Sequence, residues 1–186
     1  MVAQPFEIYQ IKITLRDSQP PIWRRIHVQS GITLAKLHKI LQRVMGWEDV
    51  HLHQFLIHGD RYGSRDCNTS ALERANDERR CTLGKVAKAG SEFVYHYDFG
   101  DNWEHVLVIE TALPPQEGGR YPVCLAGARA CPPEDVGGIP GYENYLRAIN
   151  DPKHPESAEY LEWIGRHFDS EAFNVDEINS ALHAMR

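Results

Sequence analysis

The chain has 186 residues, of which 42% are hydrophobic and 25% are charged, a composition typical of globular proteins. This length accommodates one domain, or one domain with a helical extension, and a sizeable core. The formal net charge of -6 argues against broad electrostatic binding to DNA or to a membrane surface, because both require a basic face.

The sequence shows no secretory signal and no membrane-spanning segment, which predicts a cytosolic protein. The amino-terminal segment MVAQPFEIYQIKITL has no cationic start followed by an apolar run. No later segment holds about eighteen uninterrupted apolar residues, so we expect a cytoplasmic protein with no membrane partner. The cysteines form no C-x-x-C pair, so neither a zinc ribbon nor a thioredoxin-type motif is indicated, and a cytosolic setting favours reduced structural thiols. They are Cys67, Cys81, Cys124 and Cys131.

The first elements are two strands and a helix. Residues 7–15 (EIYQIKITL) alternate apolar and polar side chains, which predicts a half-buried strand. Residues 22–28 follow a proline-containing turn and are predicted to be its antiparallel partner. Thr33 is a plausible N-cap for a helix whose apolar residues recur at three- and four-residue spacing as far as Gly46.

The next segments are less regular. Residues 51–58 (HLHQFLIH) are predicted to form a third strand, followed by a turn at 59–63. Residues 64–90 are polar and charged, and we expect an irregular excursion with at most one short helix over 72–79.

The stretch YHYDFGDNWEH, residues 95–105, predicts a hairpin between strands 93–99 and 103–110. A three-residue loop would place Phe99 opposite Trp103 and Tyr97 opposite His105. That register forms one continuous aromatic face, with Asn102 in the left-handed position that such loops need.

The same register determines the polar side of the hairpin. It predicts that His96, Asp98 and Glu104 lie together on the face opposite the aromatic residues, with Asp101 at the tip of the loop. Because acidic residues are common in turns, Asp101 has a structural explanation as well as a functional one.

The remaining chain predicts a loop and helices. Residues 111–141 are rich in proline and glycine, and we expect an ordered loop packed along the sheet. Helices are predicted over 142–149, 155–167 and 175–185, the last with a capping-box-like pair between Asn174 and Glu177.

These elements predict an α+β fold. We expect a mixed or antiparallel sheet of about five strands in the order strand, strand, helix, strand, strand, strand, which is β-grasp-like. A single domain would span 1–186, with a sheet-and-helix core over 1–110, the ordered loop over 111–141 and a C-terminal helical extension over 142–186.

Five ordered motifs resemble the plasmid pRiA Orf-three-like family, and together they cover nearly the whole chain. They are IYQIKITLRDSQPPIWRRIHV, MGWEDVHLHQF, YHYDFGDNWEH, CPPEDVGGIPGYENYL and FDSEAFN. The resemblance implies a compact α+β domain associated with bacterial plasmids or mobile elements, with members labelled as resolvase-like or repressor-like.

Histidines and acids offer a candidate metal site. Along strands, His51 and His53 share one face and His96 and Asp98 share another. Imidazole and carboxylate together suit zinc, manganese or iron. Apart from such a divalent metal ion, no cofactor is expected. The alternative is that these histidines hydrogen-bond across the sheet. Further ligands could come from the later loop: Cys131, Glu134 and Asp135.

The same acids define a candidate functional groove between the hairpin and the CPPEDVGG loop. General acid–base chemistry would require a carboxylate pair with separated pKa values, such as Asp98 with Glu104 or Glu134 with Asp135. The full set of groove residues is His96, Asp98, Asp101, Glu104, Glu134 and Asp135.

Nucleic-acid binding is a further hypothesis, centred on Arg24 and Arg25 beside Trp23. Arginine can contact phosphate, and an aromatic ring can stack on a base. The alternative is a solvated charged surface in which nearby acids cancel the arginines. Additional candidates lie in the excursion: Arg61, Arg65, Arg74, Arg79 and Arg80.

The absence of a reaction motif makes a non-enzymatic interaction or regulatory module the leading interpretation, with an unidentified protein partner. The alternatives are a nucleic-acid-binding regulator and a metal-dependent enzyme with its His/Asp site between the hairpin and the CPPEDVGG loop.

Overall fold

A computed structural model describes residues 6–64, 75–164 and 168–185. Within these residues, eight strands form one open sheet. The strands are β1 (Ile8–Leu15), β2 (Trp23–Gln29), β3 (His53–Ile57), β4 (Asp60–Gly63), β5 (Asn76–Asp77), β6 (Glu92–Tyr97), β7 (Trp103–Leu113) and β8 (Val123–Ala128).

Helices follow β2 and dominate the carboxyl-terminal part of the chain. The α-helices are α1 (Leu34–Met45), α2 (Leu83–Val86), α3 (Gly138–Asn150), α4 (Ser157–Ile164) and α5 (Val175–His183). A 3-10 turn covers Glu78–Arg80. None of the helices in the described ranges is both long and apolar enough to cross a membrane.

The sheet order is β5-β4-β3-β6-β7-β1-β2-β8, and every named pair is antiparallel except β4 with β5. The α+β class is therefore confirmed, but the prediction of about five strands is wrong. β4, β5 and β8 were missed because they are short or rich in small and turn-forming residues, and their pairing depends on distant strands.

The first two strands and α1 follow the predicted pattern. In β1, the side chains of Tyr9, Ile11, Ile13 and Leu15 are buried on one face. α1 begins after Thr33, whose side chain accepts a hydrogen bond from the backbone N–H of Lys36, and it ends at Gly46 with φ +85°. Both predicted caps are confirmed.

The predicted register of the β6–β7 hairpin is wrong by two residues. Tyr97, rather than Phe99, lies opposite Trp103, and Tyr95 lies opposite His105. The strand ends early because Asp98 takes a left-handed φ of +55°, and Asn102 takes +59°. A shift of two residues keeps the side chains of the paired residues on their predicted faces. The buried aromatic face is therefore confirmed, although Phe99 does not belong to it.

The proline- and glycine-rich stretch 111–141 is only partly a loop. It contains the end of β7, all of β8 and the start of α3. At the outer edge, α5 covers β8, and the Asn179 side chain bonds both the N–H (2.7 Å) and the carbonyl (3.0 Å) of Cys124. The predicted cap of α5 is confirmed, because Asn174 accepts from the N–H groups of Asp176 and Glu177.

The excursion lies partly outside the described residues, as do Arg65, Cys67 and Arg74. Its described end contains β5, the 3-10 turn and α2, so the expectation of at most one short helix is wrong there. Among the described cysteines, Cys81, Cys124 and Cys131 form no disulfide. One cluster of buried side chains extends from β1 to Leu182 of α5.

Candidate metal centre

Three of the sequence motifs meet at one end of the sheet: MGWEDVH (45–51), YDFGDN (97–102) and CPPEDVGG (131–138). The Trp47 indole N–H donates to the Pro132 carbonyl at 2.9 Å. The Glu48 backbone N–H donates to Glu134 Oε1, also at 2.9 Å. These bonds hold the CPPEDVGG loop against the segment that follows α1.

The hairpin loop holds the same segment from the other side. Asp101 Oδ2 accepts a hydrogen bond from the N–H of Gly137 at 2.9 Å. Gly138 has φ +68°, and a Cβ there would collide with the backbone carbonyl of Asp101. Glycine is therefore required for the close approach that aligns the two loops.

The joined loops surround the imidazole of His51 with three carboxylates. His51 Nε2 lies 3.1 Å from Asp135 Oδ1, 3.6 Å from Asp98 Oδ2 and 3.7 Å from Glu134 Oε2. The ligand atoms of His51, Asp98 and Asp135 all lie within 4.8 Å of one another. We call His51, Asp98, Glu134 and Asp135 the His51 cluster.

These three separations are longer than a typical charge-assisted hydrogen bond, and the shortest, 3.1 Å, matches the spacing of two ligand atoms on one ion. A charge-assisted N–H···O bond is typically about 2.7–2.9 Å long. Two ligand atoms that each lie about 2.1 Å from one ion, at tetrahedral or octahedral angles, are roughly 3.0–3.4 Å apart. In addition, His51 Nε2 is shielded from solvent and has no hydrogen-bond partner among the described residues.

Two of the carboxylates are held by unusual backbone conformations. Asp98 and Asp135 have φ values of +55° and +56°, in the left-handed region that non-glycine residues seldom occupy. Asp98 is further fixed because its Oδ1 accepts the N–H of Gly100 at 2.9 Å. Strained residues cluster at functional sites, where the surrounding structure holds them in place.

Glu134 is positioned by Tyr97, whose hydroxyl donates to Glu134 Oε1 at 3.2 Å. The same hydroxyl accepts the N–H of Val50 at 3.1 Å. Burial raises the pKa of the Glu134 carboxyl above its usual value, and hydrogen bonds from Glu48 and Tyr97 partly oppose this effect. Burial, reinforced by the charge of Glu134, raises the pKa of Tyr97 as well.

The structure separates the other predicted metal ligands from this cluster. His53 Nε2 lies 2.8 Å from Glu78 Oε2. His96 lies opposite Glu104 across the β6–β7 pair, and its ring packs on Phe99 at a centroid distance of 4.8 Å. The predicted grouping of His96 and Asp98 on one face is wrong, because the left-handed backbone turns Asp98 toward His51.

A second histidine cluster joins α1 to the sheet. The His38 and His53 rings stack with centroids 3.4 Å apart and planes 4° apart. His38 bonds Asp49 Oδ1 at 2.6 Å and the Tyr95 hydroxyl at 2.8 Å. An ion cannot lie in the planes of two parallel rings at once, so this geometry suits hydrogen bonding rather than joint coordination.

The remaining groove candidates, and Cys131 as a possible further ligand, have structural partners. Asp101 ties the hairpin to the loop, as described above, and Glu104 forms an ion pair with Arg16. Cys131 Sγ accepts from the Arg24 guanidinium at 3.3 Å. Burial raises the pKa of the Cys131 thiol to about 11, so it is protonated at neutral pH.

The two arginines proposed for nucleic acid differ in their environment. Arg24 is only 3% exposed, and its guanidinium donates to the carbonyls of Trp23, Val44 and Ala128. Arg25 lies nearer the surface and forms a bidentate pair with Glu110. Arg79 and Arg80 both pair with Asp77.

The sequence alone did not single out Trp47, Tyr97 or Glu48 as parts of the site. Tyr97 was assigned to the aromatic face, where its ring does lie, but its hydroxyl reaches Glu134. The available signal was the pairing of aromatic and acidic letters in MGWEDVH and YHYDFGD. This pairing indicates a shared site only when the structure shows that the two segments are neighbours.

Two clefts border the His51 cluster and share Asp135 and Trp163. One has a volume of about 310 Å³ and lies against α4. The other, of about 550 Å³, lies between Trp47, Val50 and the prolines that precede Glu134. Because the Asp135 side chain is 66% exposed, the cluster opens toward these clefts.

The fold and site together define an α+β protein with an open, mostly antiparallel sheet and a histidine–carboxylate cluster built by three loop motifs. The chain belongs to the plasmid pRiA4b ORF-3-like protein family, whose model matches residues 7–177. The resemblance predicted from the motifs is therefore confirmed.

Two relatives illustrate the breadth of this similarity. The chain is 39% identical over 178 residues to "Uncharacterized protein y4hQ" of Sinorhizobium fredii (strain NBRC 101917 / NGR234), covering 94% of this chain and 90% of the relative. It is also similar to the crystal structure of "Protein of Unknown Function MM3350" from Methanosarcina mazei Go1, with a TM-score of 0.85 and 37% identity. That match covers 94% of this chain and 98% of the other.

Proposed function

We propose that this protein binds a divalent metal ion in the His51 cluster. The observation that carries the proposal is that three carboxylate oxygens lie 3.1 to 3.7 Å from His51 Nε2, which is buried and makes no hydrogen bond with the described residues. One imidazole with several carboxylates suits an ion of borderline hardness, such as Zn²⁺ or Mn²⁺.

The cluster has the features of a catalytic rather than a structural metal site. Structural zinc sites are closed by four protein ligands, commonly cysteine and histidine, whereas catalytic sites keep a position open for water or substrate. Here Asp135 is exposed at the mouth of two clefts. With His51, Asp98 and Asp135 as the three ligands, the Glu134 carboxylate, whose Oε2 lies 3.7 Å from His51 Nε2, would be near enough to accept a proton from water at the open position. The proposed reaction class is metal-assisted hydrolysis.

Metal binding can be tested on protein purified without a histidine tag. We expect about one Zn²⁺ or Mn²⁺ ion per chain by mass spectrometry of the metal content, with affinity measured by calorimetric titration. Asp98→Asn and His51→Gln should each weaken binding by more than about 100-fold, since outer partners of metal ligands alone contribute roughly 10- to 100-fold.

His96→Gln is the matched control, because His96 lies one residue before Tyr97 but outside the His51 cluster. It should leave the metal affinity unchanged. The proposal fails if the unmodified chain binds neither ion, or if His96→Gln weakens binding as much as Asp98→Asn does.

A further inference from the structure

The smaller cleft beside the His51 cluster has strongly acidic walls. Glu156, just before α4, and Glu159, within α4, line this cleft. Asp135 of the His51 cluster lines it as well. None of the described residues that line this cleft is a lysine or an arginine. The described lining therefore presents the carboxylates of Glu156 and Glu159 with no basic residue, in addition to Asp135, whose charge the proposed ion would partly neutralise, and it should attract cations.

Two aromatic rings form the rest of the wall. Tyr160 and Trp163 have ring centroids 6.3 Å apart, with planes tilted by 55°. Trp163 is 48% exposed although it is a large hydrophobic residue. Carboxylates combined with aromatic faces are the surfaces that proteins use to bind ammonium and guanidinium groups.

The wall is supported by the buried core. The Tyr160 ring packs edge-on against Tyr145, which is 1% exposed, at a centroid distance of 5.3 Å. The Asn144 amide donates both to Glu156 Oε2 at 2.6 Å and to the Tyr160 hydroxyl at 3.3 Å. These contacts hold an acid and an aromatic ring next to each other before any ligand arrives.

We propose that this cleft binds the arginine or lysine side chain of a peptide that is the substrate of the neighbouring metal centre. Charge complementarity selects a cationic group. The inference rests on the proposed function, because Asp135 belongs both to the cleft and to the His51 cluster.

The second cleft favours a peptide over a small free amine. It continues from Asp135 and Trp163 along Trp47, Val50 and the two prolines 132 and 133. Val50 is 61% exposed there. An extended peptide could place its basic side chain in the acidic cleft and lay its neighbouring residues along the second cleft.

The test follows the indole N–H signal of Trp163 by NMR while a capped peptide Ala-Ala-Arg-Ala-Ala is added. We expect saturable shifts, and at least about fivefold weaker binding when citrulline, a neutral analogue, replaces arginine, since a charged partner strengthens such contacts. Free arginine should also bind at least about fivefold more weakly, because it cannot occupy the second cleft.

Two substitutions on the same helix separate site binding from general attraction. Glu159→Gln should weaken peptide binding about fivefold or more, while Glu162→Gln, on α4 but outside the cleft lining, should not. Equal effects of the two substitutions, equal binding of the citrulline peptide or of free arginine, or no shift at Trp163 would each overturn the proposal.

The metal content of the same samples keeps this result distinct from that of the proposed function. Glu159→Gln should retain the ion, and Asp98→Asn should lose it. If no chain binds metal but the arginine peptide still binds at Trp163, the metal proposal fails together with the peptide's role as a substrate, while the binding of a cationic side chain by the cleft stands. If metal binds but the peptide does not, the cleft proposal alone fails.

Discussion

At the scale of single residues, the candidate site depends on backbone conformations that few residues accept. Asp98 and Asp135 supply carboxylates from left-handed positions. Gly138 lets the CPPEDVGG loop approach the hairpin so closely that no side chain fits between them. The rare letters of these motifs are therefore explained by geometry as well as by chemistry.

Gly138→Ala tests this geometry. Alanine at this position is strained by the left-handed φ, and its Cβ would collide with the Asp101 carbonyl. We therefore expect a loss of about 2–4 kcal/mol in the free energy of unfolding. Metal affinity should fall as well, because the loop moves away from His51. Urea unfolding and metal titration measure the two effects.

Gly118→Ala is the control, since Gly118 has a similar φ of +71° but no atom within 4 Å of its Cβ position. It should cost only about 1 kcal/mol and leave metal binding intact. Similar losses from both substitutions would show that the contact with Asp101 is unimportant.

At the scale of elements, Arg24 joins three parts of the fold rather than serving as a surface contact. Its guanidinium links β2 to the Val44 carbonyl of α1 and to the Ala128 carbonyl at the end of β8. Its planar face also packs against Phe173, with the guanidinium carbon 5.0 Å from the ring centroid. A buried arginine of this kind organises the edge of the sheet next to the CPPEDVGG loop.

Arg24→Met should therefore destabilise the protein by about 3 kcal/mol, because it leaves buried carbonyls without donors. The neighbouring Arg25→Gln should cost less than about 1 kcal/mol, since its pair with Glu110 lies near the surface. Chemical unfolding of both variants gives the comparison. Equal stability of the two would contradict the structural role assigned to Arg24.

The outer edge of the sheet is also an element-scale feature. Asn179 of α5 bonds the backbone of Cys124 in β8 in the way that a neighbouring strand would. Strand addition at that point is therefore blocked, so this stretch of β8 is not available to pair with a strand of another protein.

At the scale of the whole molecule, buried histidines couple stability to pH. Burial lowers the pKa of His105 to about 3. Burial, together with the neighbouring His53, lowers the pKa of His38 to about 4. In the unfolded chain both would titrate near about 6.5. The unfolded state thus binds more protons below that pH, and stability decreases as the solution is acidified.

We expect the free energy of unfolding to fall between pH 6.5 and about pH 4, by up to roughly 1.4 kcal/mol per pH unit for each of the two histidines. Urea titrations at several pH values measure the slope. His105→Phe should reduce the slope by up to roughly 1.4 kcal/mol per pH unit, because one of the two buried histidines is then absent. An unchanged slope in His105→Phe would refute this account.

Much of the fold could be predicted from local patterns. Alternation in β1, the caps Thr33 and Gly46, and the Asn174 cap depend on neighbours within a few residues, and all were confirmed. β4 and β8 were missed because their strand character comes from pairing with β3 and β2. Such pairing is a long-range property that cannot be predicted from short segments of small residues.

The sequence by itself determined the family, the α+β class and the inward face of the hairpin, since a period-2 pattern survives even a two-residue error in register. Only the tertiary structure decided which polar residues form a site. It brought His51, Asp98, Glu134 and Asp135 together and left His53 and His96 with other partners. The reason is physical: left-handed turns and a glycine contact bring together loops that lie far apart along the chain, and no local pattern encodes that distance.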